Sequence, residues 1–392
     1  MVKPLSCLFL IFPLLGLTPA LAGTPDEQPP REPAPWLARG ICIDRQVRTN
    51  PPEPGMRVGR EDIRQIKSMG FGFVKLLVNP AVVKAGSTLH PASTAYFDQL
   101  IDWAAAEGLP VVVCIHPEDD FKRRVLANAG EFEAFLGFMS ALAHHLSGRW
   151  TPGQVALQLM TEPYGTSPNP AYWYHWDRLQ QRLWKAVRTG MQGHTLILSG
   201  DLIGSIEGLD NIHPVDDENV LYSFTFYEPH LFTWQGGTWR AGVIPVLKDL
   251  PYPSSRATLA ELPRLLATMP ESVRASARSE IEQYASESWD RDKLAARIDK
   301  AVDWRRRNGG RVKLWCAEFG CYQAAARPAD RLRYLRDMRA VLEERGIGWA
   351  YWSYNETFTI MTSGSKPFWP PTAQTPDREA LKVLLPGRAP GQ

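Results

Sequence analysis

Two glutamates stand out because each closes a short apolar run. Val155 to Gly165, VALQLMTEPYG, delivers Glu162 into a polar corner, and Val312 to Gly320, VKLWCAEFG, delivers Glu318 in the same way. A near-continuous apolar run bounded by turn residues reads as a strand covered on both faces, as in a parallel sheet wrapped by helices. A carboxylate at the carboxyl end of such a strand is where an α/β barrel places its chemistry. Two acids on two strand ends are the minimum equipment for hydrolysing a glycosidic bond.

The scaffold that could hold them is legible along the chain. Candidate strands are Gly40 to Ile43, Gly72 to Leu77, Pro110 to Ile115, Val155 to Met160, Thr195 to Ser199, Val220 to Phe226, Val312 to Glu318 and Gly348 to Trp352. Between them run amphipathic stretches such as Phe132, Phe135, Leu136, Met139, Leu142, Ala143 and Leu146, whose spacing puts them on one helical face. Strand and helix repeated eight times predict an α/β fold of the closed (β/α)8 TIM-barrel type. An open doubly wound sheet is the rival, but no Gly-rich nucleotide turn follows the first strand. The long interruption from Glu228 to Arg311 reads as an enlarged strand 6 to helix 6 connection, with too few apolar residues for a core of its own. Lys75, His116, Thr161 with Glu162, Thr225 with Tyr227, Glu318 and Trp352 are then collected at strand ends.

The 392 residues, 44% of them hydrophobic, suffice for one large core. Forty-four basic against 42 acidic residues leave a net charge of +2, so nothing points to nucleic acid. Fourteen Trp and twelve Tyr suit a surface that stacks on sugar rings, though large barrels also use aromatics as core filler. Lys3, the apolar run Leu8 to Leu17 and the small residues Ala20-Leu21-Ala22 predict a signal peptide over 1–22 and a secreted or periplasmic protein. A Pro-rich linker follows over 23–35, then the barrel over 36–386. No later stretch approaches the roughly 20 apolar residues of a membrane span. The expected partner is a polysaccharide or oligosaccharide bound by a monomer, with no cofactor and no metal.

On these strings the chain resembles glycoside hydrolase family 5, the retaining endoglucanase and mannanase family. The match runs through RGI at Arg39 to Ile41, GFGFVKL at Gly70 to Leu76, VVVCIHP at Val111 to Pro117, LQLMTEP, YSFTFYEPHLFTWQG at Tyr222 to Gly236, WCAEFG, and WAYWSYN at Trp349 to Asn355. The resemblance implies Glu162 as general acid and base and Glu318 as nucleophile. It further implies Tyr227 hydrogen-bonded to Glu318, His116 touching the sugar beside the cleavage point, and Trp352 as the platform beneath that ring. Trp234, in the loop after the sixth strand, is a candidate for sugar stacking.

Three positions depart from the family pattern that the resemblance brings. Lys75 stands where an Arg braces the nucleophile, keeping the charge but losing the planar fork. Thr161 replaces an Asn that meets the sugar 2-hydroxyl, and Thr225 replaces a His two residues before Tyr227. One reading is a hydrolase retuned to another glycan. The other is a weakened barrel that binds polysaccharide or assists exopolysaccharide assembly.

Four cysteines follow the signal region. Counting by two from His116 and Glu318 predicts that Cys114 and Cys316 point into the barrel with Cys42, as buried thiols one layer below the site. Trp173, Trp176, Trp234 and Trp239 are expected along the rim.

Overall fold

In the computed structural model of the chain, each of the eight apolar runs forms a strand. They are β1 (Arg39–Val47), β2 (Phe73–Val78), β3 (Val111–Ile115), β4 (Val155–Gln158), β5 (Leu196–Ser199), β6 (Val220–Phe226), β7 (Lys313–Phe319) and β8 (Gly348–Tyr351). All pair in parallel, each with its sequence neighbours, and β1 pairs with β8 to close the barrel. The structure describes residues 35–47, 57–163, 176–355, 358–362 and 375–387. The expected signal peptide, nearly all of the linker and Trp173 lie outside the described residues.

Alternation along the strands builds two cores. On β2, Val74, Leu76 and Val78 face the helices, whereas Phe73 and Leu77 join Cys42, Val112, Cys114, Ala156, Ile197, Leu221, Trp315 and Ala317 inside the barrel. The helical layer comprises α1 (Arg60–Met69), α2 (Pro91–Ala106), α3 (Ala129–Ser147), α4 (Trp176–Gly190), α5 (Glu271–Glu287), α6 (Arg291–Arg307), α7 (Pro328–Glu344) and α8 (Arg378–Leu384). A 3-10 turn, Pro35–Leu37, covers the amino-terminal end of the barrel, where Trp315 Nε1 donates to the Leu37 carbonyl at 3.2 Å.

The repeat is not uniform. Between β5 and β6 the chain makes only the turn Asp201–Gly204 and the 3-10 segment Glu207–Asn211, with no long helix. The compensating mass lies between β6 and β7. There α5 and α6 bury Ile281, Tyr284, Leu294 and Ile298 in the same core as the barrel helices. Arg297 of α6 reaches back to the mouth, donating to both oxygens of Glu228 at 2.6 Å and to Glu207 at 2.7 Å. The insertion is thereby fastened to the loops after β5 and β6.

The cysteine expectation needs correction. All four cysteines in the described residues are free and buried, and Cys42 and Cys114 do sit inside the barrel. Cys316 faces the helices instead. The cause is a β-bulge: Phe224 pairs with Cys316 while Thr225 pairs with Glu318, leaving one extra residue in β7. A bulge breaks the period of two and re-aims the side chain that follows it. Ala317 and Glu318 both end on the inner side, and Cys316 turns outward.

Candidate active site

Glu318 sits at the end of β7, 5% exposed, and is held from two sides. Lys75 Nζ donates to its Oε1 at 2.6 Å and to the Ala317 carbonyl at 3.2 Å, while the Tyr227 hydroxyl donates to its Oε2 at 3.1 Å. Lys75 points inward from the middle of β2 and is completely buried. Burial works against its ammonium, but Cys114, Glu318 and Cys42 around it raise its pKa above the ordinary lysine value. Burial, then Glu318 and Glu162, push the Tyr227 phenol well up, so it stays a donor.

Glu162 follows β4, half-buried, with its backbone in the left-handed region at φ 47°. Burial first and the charge of Glu318 second raise its pKa to about 7. Lys122 and Lys75 pull the other way and Asp119 adds to the rise. The acid's strand end is braced from below. Gln158 Nε2 donates to the hydroxyls of Ser199 at 3.0 Å and Ser223 at 3.2 Å, and Ser199 Oγ donates to the Met160 carbonyl at 2.6 Å. This buried network ties β4, β5 and β6 together directly under the acid.

The remaining sequence candidates gather at the same mouth. His116 is half-buried just past β3, its N–H donating to the Val78 carbonyl at 2.8 Å. The Thr161 hydroxyl is buried beside the Cys114 thiol and has no other hydrogen-bond partner among the described residues. Thr225 pairs with Glu318 across β6 and β7 and donates from Oγ1 to the Ile203 carbonyl at 3.3 Å. Trp352 follows β8 and packs with the barrel interior. Its carbonyl would lie 2.5 Å from a Cβ on Gly320, so that position admits only glycine without movement.

The tryptophans separate. Trp176 is buried at the start of α4, where Nε1 donates to the Ser199 carbonyl at 3.0 Å, so it is a strut and not a rim residue. Trp234 stands 4.1 Å from the His230 ring and 4.2 Å from the Arg240 guanidinium, with Tyr227 at 6.1 Å. Trp239 is 41% exposed and leans on Tyr322 and Phe358, and Phe358 in turn packs against Tyr227 at 5.6 Å.

Three neighbours of these residues were not anticipated from sequence: Lys122, Phe358 and Ile203. Lys122 is 2% exposed on the short helix Asp119–Ala127, and its charge is felt by both Cys114 and Glu162. A lysine within DDFKRR gives no sign of being the buried one. Among the described residues, no group of three or more His, Cys, Asp or Glu could hold a metal ion.

The arrangement sets a salt-bridged carboxylate within electrostatic reach of a carboxyl whose pKa is raised to about 7. That asymmetry is the division of labour between nucleophile and proton donor in a glycosidase. A family model for cellulase (glycosyl hydrolase family 5) matches residues 54–357. The chain belongs to glycosyl hydrolase family 5. This family 5 hydrolase is 24% identical to endoglucanase C of Acetivibrio thermocellus over 321 residues, covering 79% of this chain and 88% of that one. Endoglucanase 3 of Fibrobacter succinogenes is 22% identical over 322 residues, 78% of this chain and 47% of its own length. Among solved structures, endoglucanase Cel5A of Thermotoga maritima superposes with a TM-score of 0.70 at 20% identity, covering 89% of this chain and 97% of that one. The cellulose synthase subunit Z of Clostridioides difficile superposes with a TM-score of 0.69, also at 20% identity, over 89% and 99% of the two chains. No helix among the described residues is long and apolar enough to cross a membrane.

Proposed function

We propose that this family 5 hydrolase is an exported, retaining endo-β-glycosidase that cleaves β-glucan by double displacement. Glu318 attacks the anomeric carbon while Glu162 protonates the leaving oxygen. Glu162 then takes a proton from water to release the glycosyl-enzyme intermediate. The observation that carries the reading is the pair itself: a carboxylate fixed by Lys75 and Tyr227 lies close enough to Glu162 for its charge to help raise that carboxyl to about 7. Export is supported by the apolar run Leu8 to Leu17 and the small residues after it. The β-glucan assignment is supported by the endoglucanases among its relatives.

His116 and Trp352 would frame the sugar at the cleavage point, whereas the Thr161 hydroxyl, fully buried against Cys114, is turned away from it. A role limited to binding polysaccharide or assisting its assembly is less well supported, because both oxygens of Glu318 keep a donor despite the change to Lys75. The test is release of reducing ends from soluble β-glucans and cellotetraose. The wild type should release them and Glu318→Ala should not. Polysaccharide binding without hydrolysis, unchanged by loss of either glutamate, would establish the binding role instead.

A further inference from the structure

The turn after β5 is strained in a way the barrel does not require. Leu202, Ile203 and Gly204 all lie in the left-handed region, at φ 52°, 62° and 67°. Gly204 adopts it freely, but for a β-branched residue it is a genuine outlier. Such conformations persist only where surrounding contacts over-determine them. Here the contacts come from the segment after β4 and from β6. The Ile203 N–H donates to the Pro163 carbonyl at 2.9 Å, and Thr225 Oγ1 donates to the Ile203 carbonyl at 3.3 Å. From the third side the backbone of Asp201 presses on Gly208, where a Cβ would lie 1.8 Å from the Asp201 carbonyl oxygen. The turn lies directly against the acid, since a Cβ on Gly204 would come within 3.7 Å of the Glu162 Cα.

What this clamp presents is apolar. Ile203 is 53% exposed, the most exposed large hydrophobic side chain among the described residues. It fills no core, so burial does not offset its strained backbone. Its place in the barrel gives it a direction. Trp352 leaves β8 and Glu162 follows β4, which lie on opposite sides of the closed sheet, and β5, which Ile203 follows, is the neighbour of β4. With a sugar on Trp352 and the bridging oxygen protonated from Glu162, the reducing-end neighbour lies on the Glu162 side, against which the turn carrying Ile203 packs.

We propose that Ile203 is a specificity-determining residue, the apolar seat for the first sugar on the leaving-group side of the cleaved bond. The inference rests on the reading of Glu162 as the proton donor. Sugar rings carry an apolar C–H face, and a branched alkyl group offers it contact without a polar group to desolvate. The seat is small beside an indole, so it selects for the presence of a leaving-group sugar more than for its identity.

The experiment compares two substrates on the full chain. Cellotetraose places sugars on the leaving-group side, whereas 2,4-dinitrophenyl β-cellobioside has a leaving group that needs neither a sugar seat nor a proton. Ile203→Ala should lower kcat/KM on cellotetraose on the order of tenfold, the scale of losing one buried alkyl contact. The aryl glycoside should stay within about twofold, since its leaving group never uses the seat. Ile203→Val should restore cellotetraose cleavage. Ile203→Gly, which relieves the strain, should melt no lower than wild type yet show the same selective loss. An equal fall on both substrates would mean that the turn supports the site as a whole, and a selective loss accompanied by a shifted alkaline limb of the cellotetraose pH–rate profile would mean that Ile203 only positions Glu162; either would overturn the proposal, as would no change on either substrate. Wild type inactive on both substrates would remove the hydrolase reading itself and this inference with it.

Discussion

Replacing Glu162 by Gln should stabilise the protein above neutral pH while abolishing its chemistry. The carboxyl has an ordinary value of 4.5 in the unfolded chain and about 7 in the folded one. A raised carboxyl means that the folded state binds the proton more tightly. The sign follows: below about pH 4.5 both states are protonated and the group is neutral in the balance. Between about 4.5 and 7 the folded state loses stability as pH rises, and above 7 the loss is constant. Each pH unit of that interval is worth about 1.4 kcal/mol, so the full interval gives a ceiling of about 3 kcal/mol. Half-burial and water at the cleft reduce this to about 2 to 3 kcal/mol. Gln keeps the shape and the hydrogen-bonding capacity without the charge. Urea denaturation of wild type and Glu162→Gln at intervals from pH 4 to pH 8.5 should give coincident midpoints at the acid end. The variant should be more stable by about 2 to 3 kcal/mol at the alkaline end, most of the divergence arising between pH 5 and 7. A difference that stays flat with pH would refute the claim that Glu162 holds a displaced proton, and with it the division of labour between the two acids.

Lys75→Met should destabilise the fold by about 3 to 5 kcal/mol, because it leaves a buried carboxylate without its counter-charge. Adding Glu318→Gln should recover much of that loss in a double-mutant cycle read by denaturation. Tyr227→Phe removes one hydrogen bond to that carboxylate, so kcat/KM on β-glucan should fall roughly ten- to hundredfold with the melting temperature little changed. Lys122→Met removes a charge that lowers the Glu162 pKa. The alkaline limb of the pH–rate profile, measured on cellotetraose, should therefore move to higher pH. Gly320→Ala drives a methyl group toward the Trp352 carbonyl. Activity should drop along with stability, measured by initial rates and thermal melting.

The barrel could be read from sequence because its signal is one-dimensional. Eight apolar runs such as FVKLLV and VVVCI have no polar face to offer water, so each is a strand buried on both sides, and the structure has all eight. The glutamates were legible because a charge at the end of such a run must emerge at the mouth. What failed was counting by two across β7. The rule holds for β2, where Phe73, Lys75 and Leu77 face inward together, and for Cys114 on β3. It fails at Cys316 because one residue is unpaired in the ladder. Nothing in LWCAEF marks that residue, since a bulge is decided by how two neighbouring strands pair and not by the strand that carries it.

That extra residue is also what aims Glu318. With regular alternation, Glu318 facing inward would put Ala317 outward and Cys316 inward. The bulge instead keeps Trp315 and Ala317 in the barrel core and still delivers Glu318 to Lys75 at 2.6 Å. Lys75 emerges from the middle of β2, below the rim, and its Nζ also takes the Ala317 carbonyl. A shorter reach toward a lower carboxylate would leave Glu318 beneath the level at which Tyr227 of the β6 loop can meet its second oxygen. The lysine, the bulge and the tyrosine thus fix the height of one carboxylate together. The other acid takes its height from a different device, the left-handed backbone at Glu162 wedged against the turn after β5. Both devices are tertiary pairings between segments far apart in the chain, which is why residue types could name the acids while only the fold could aim them.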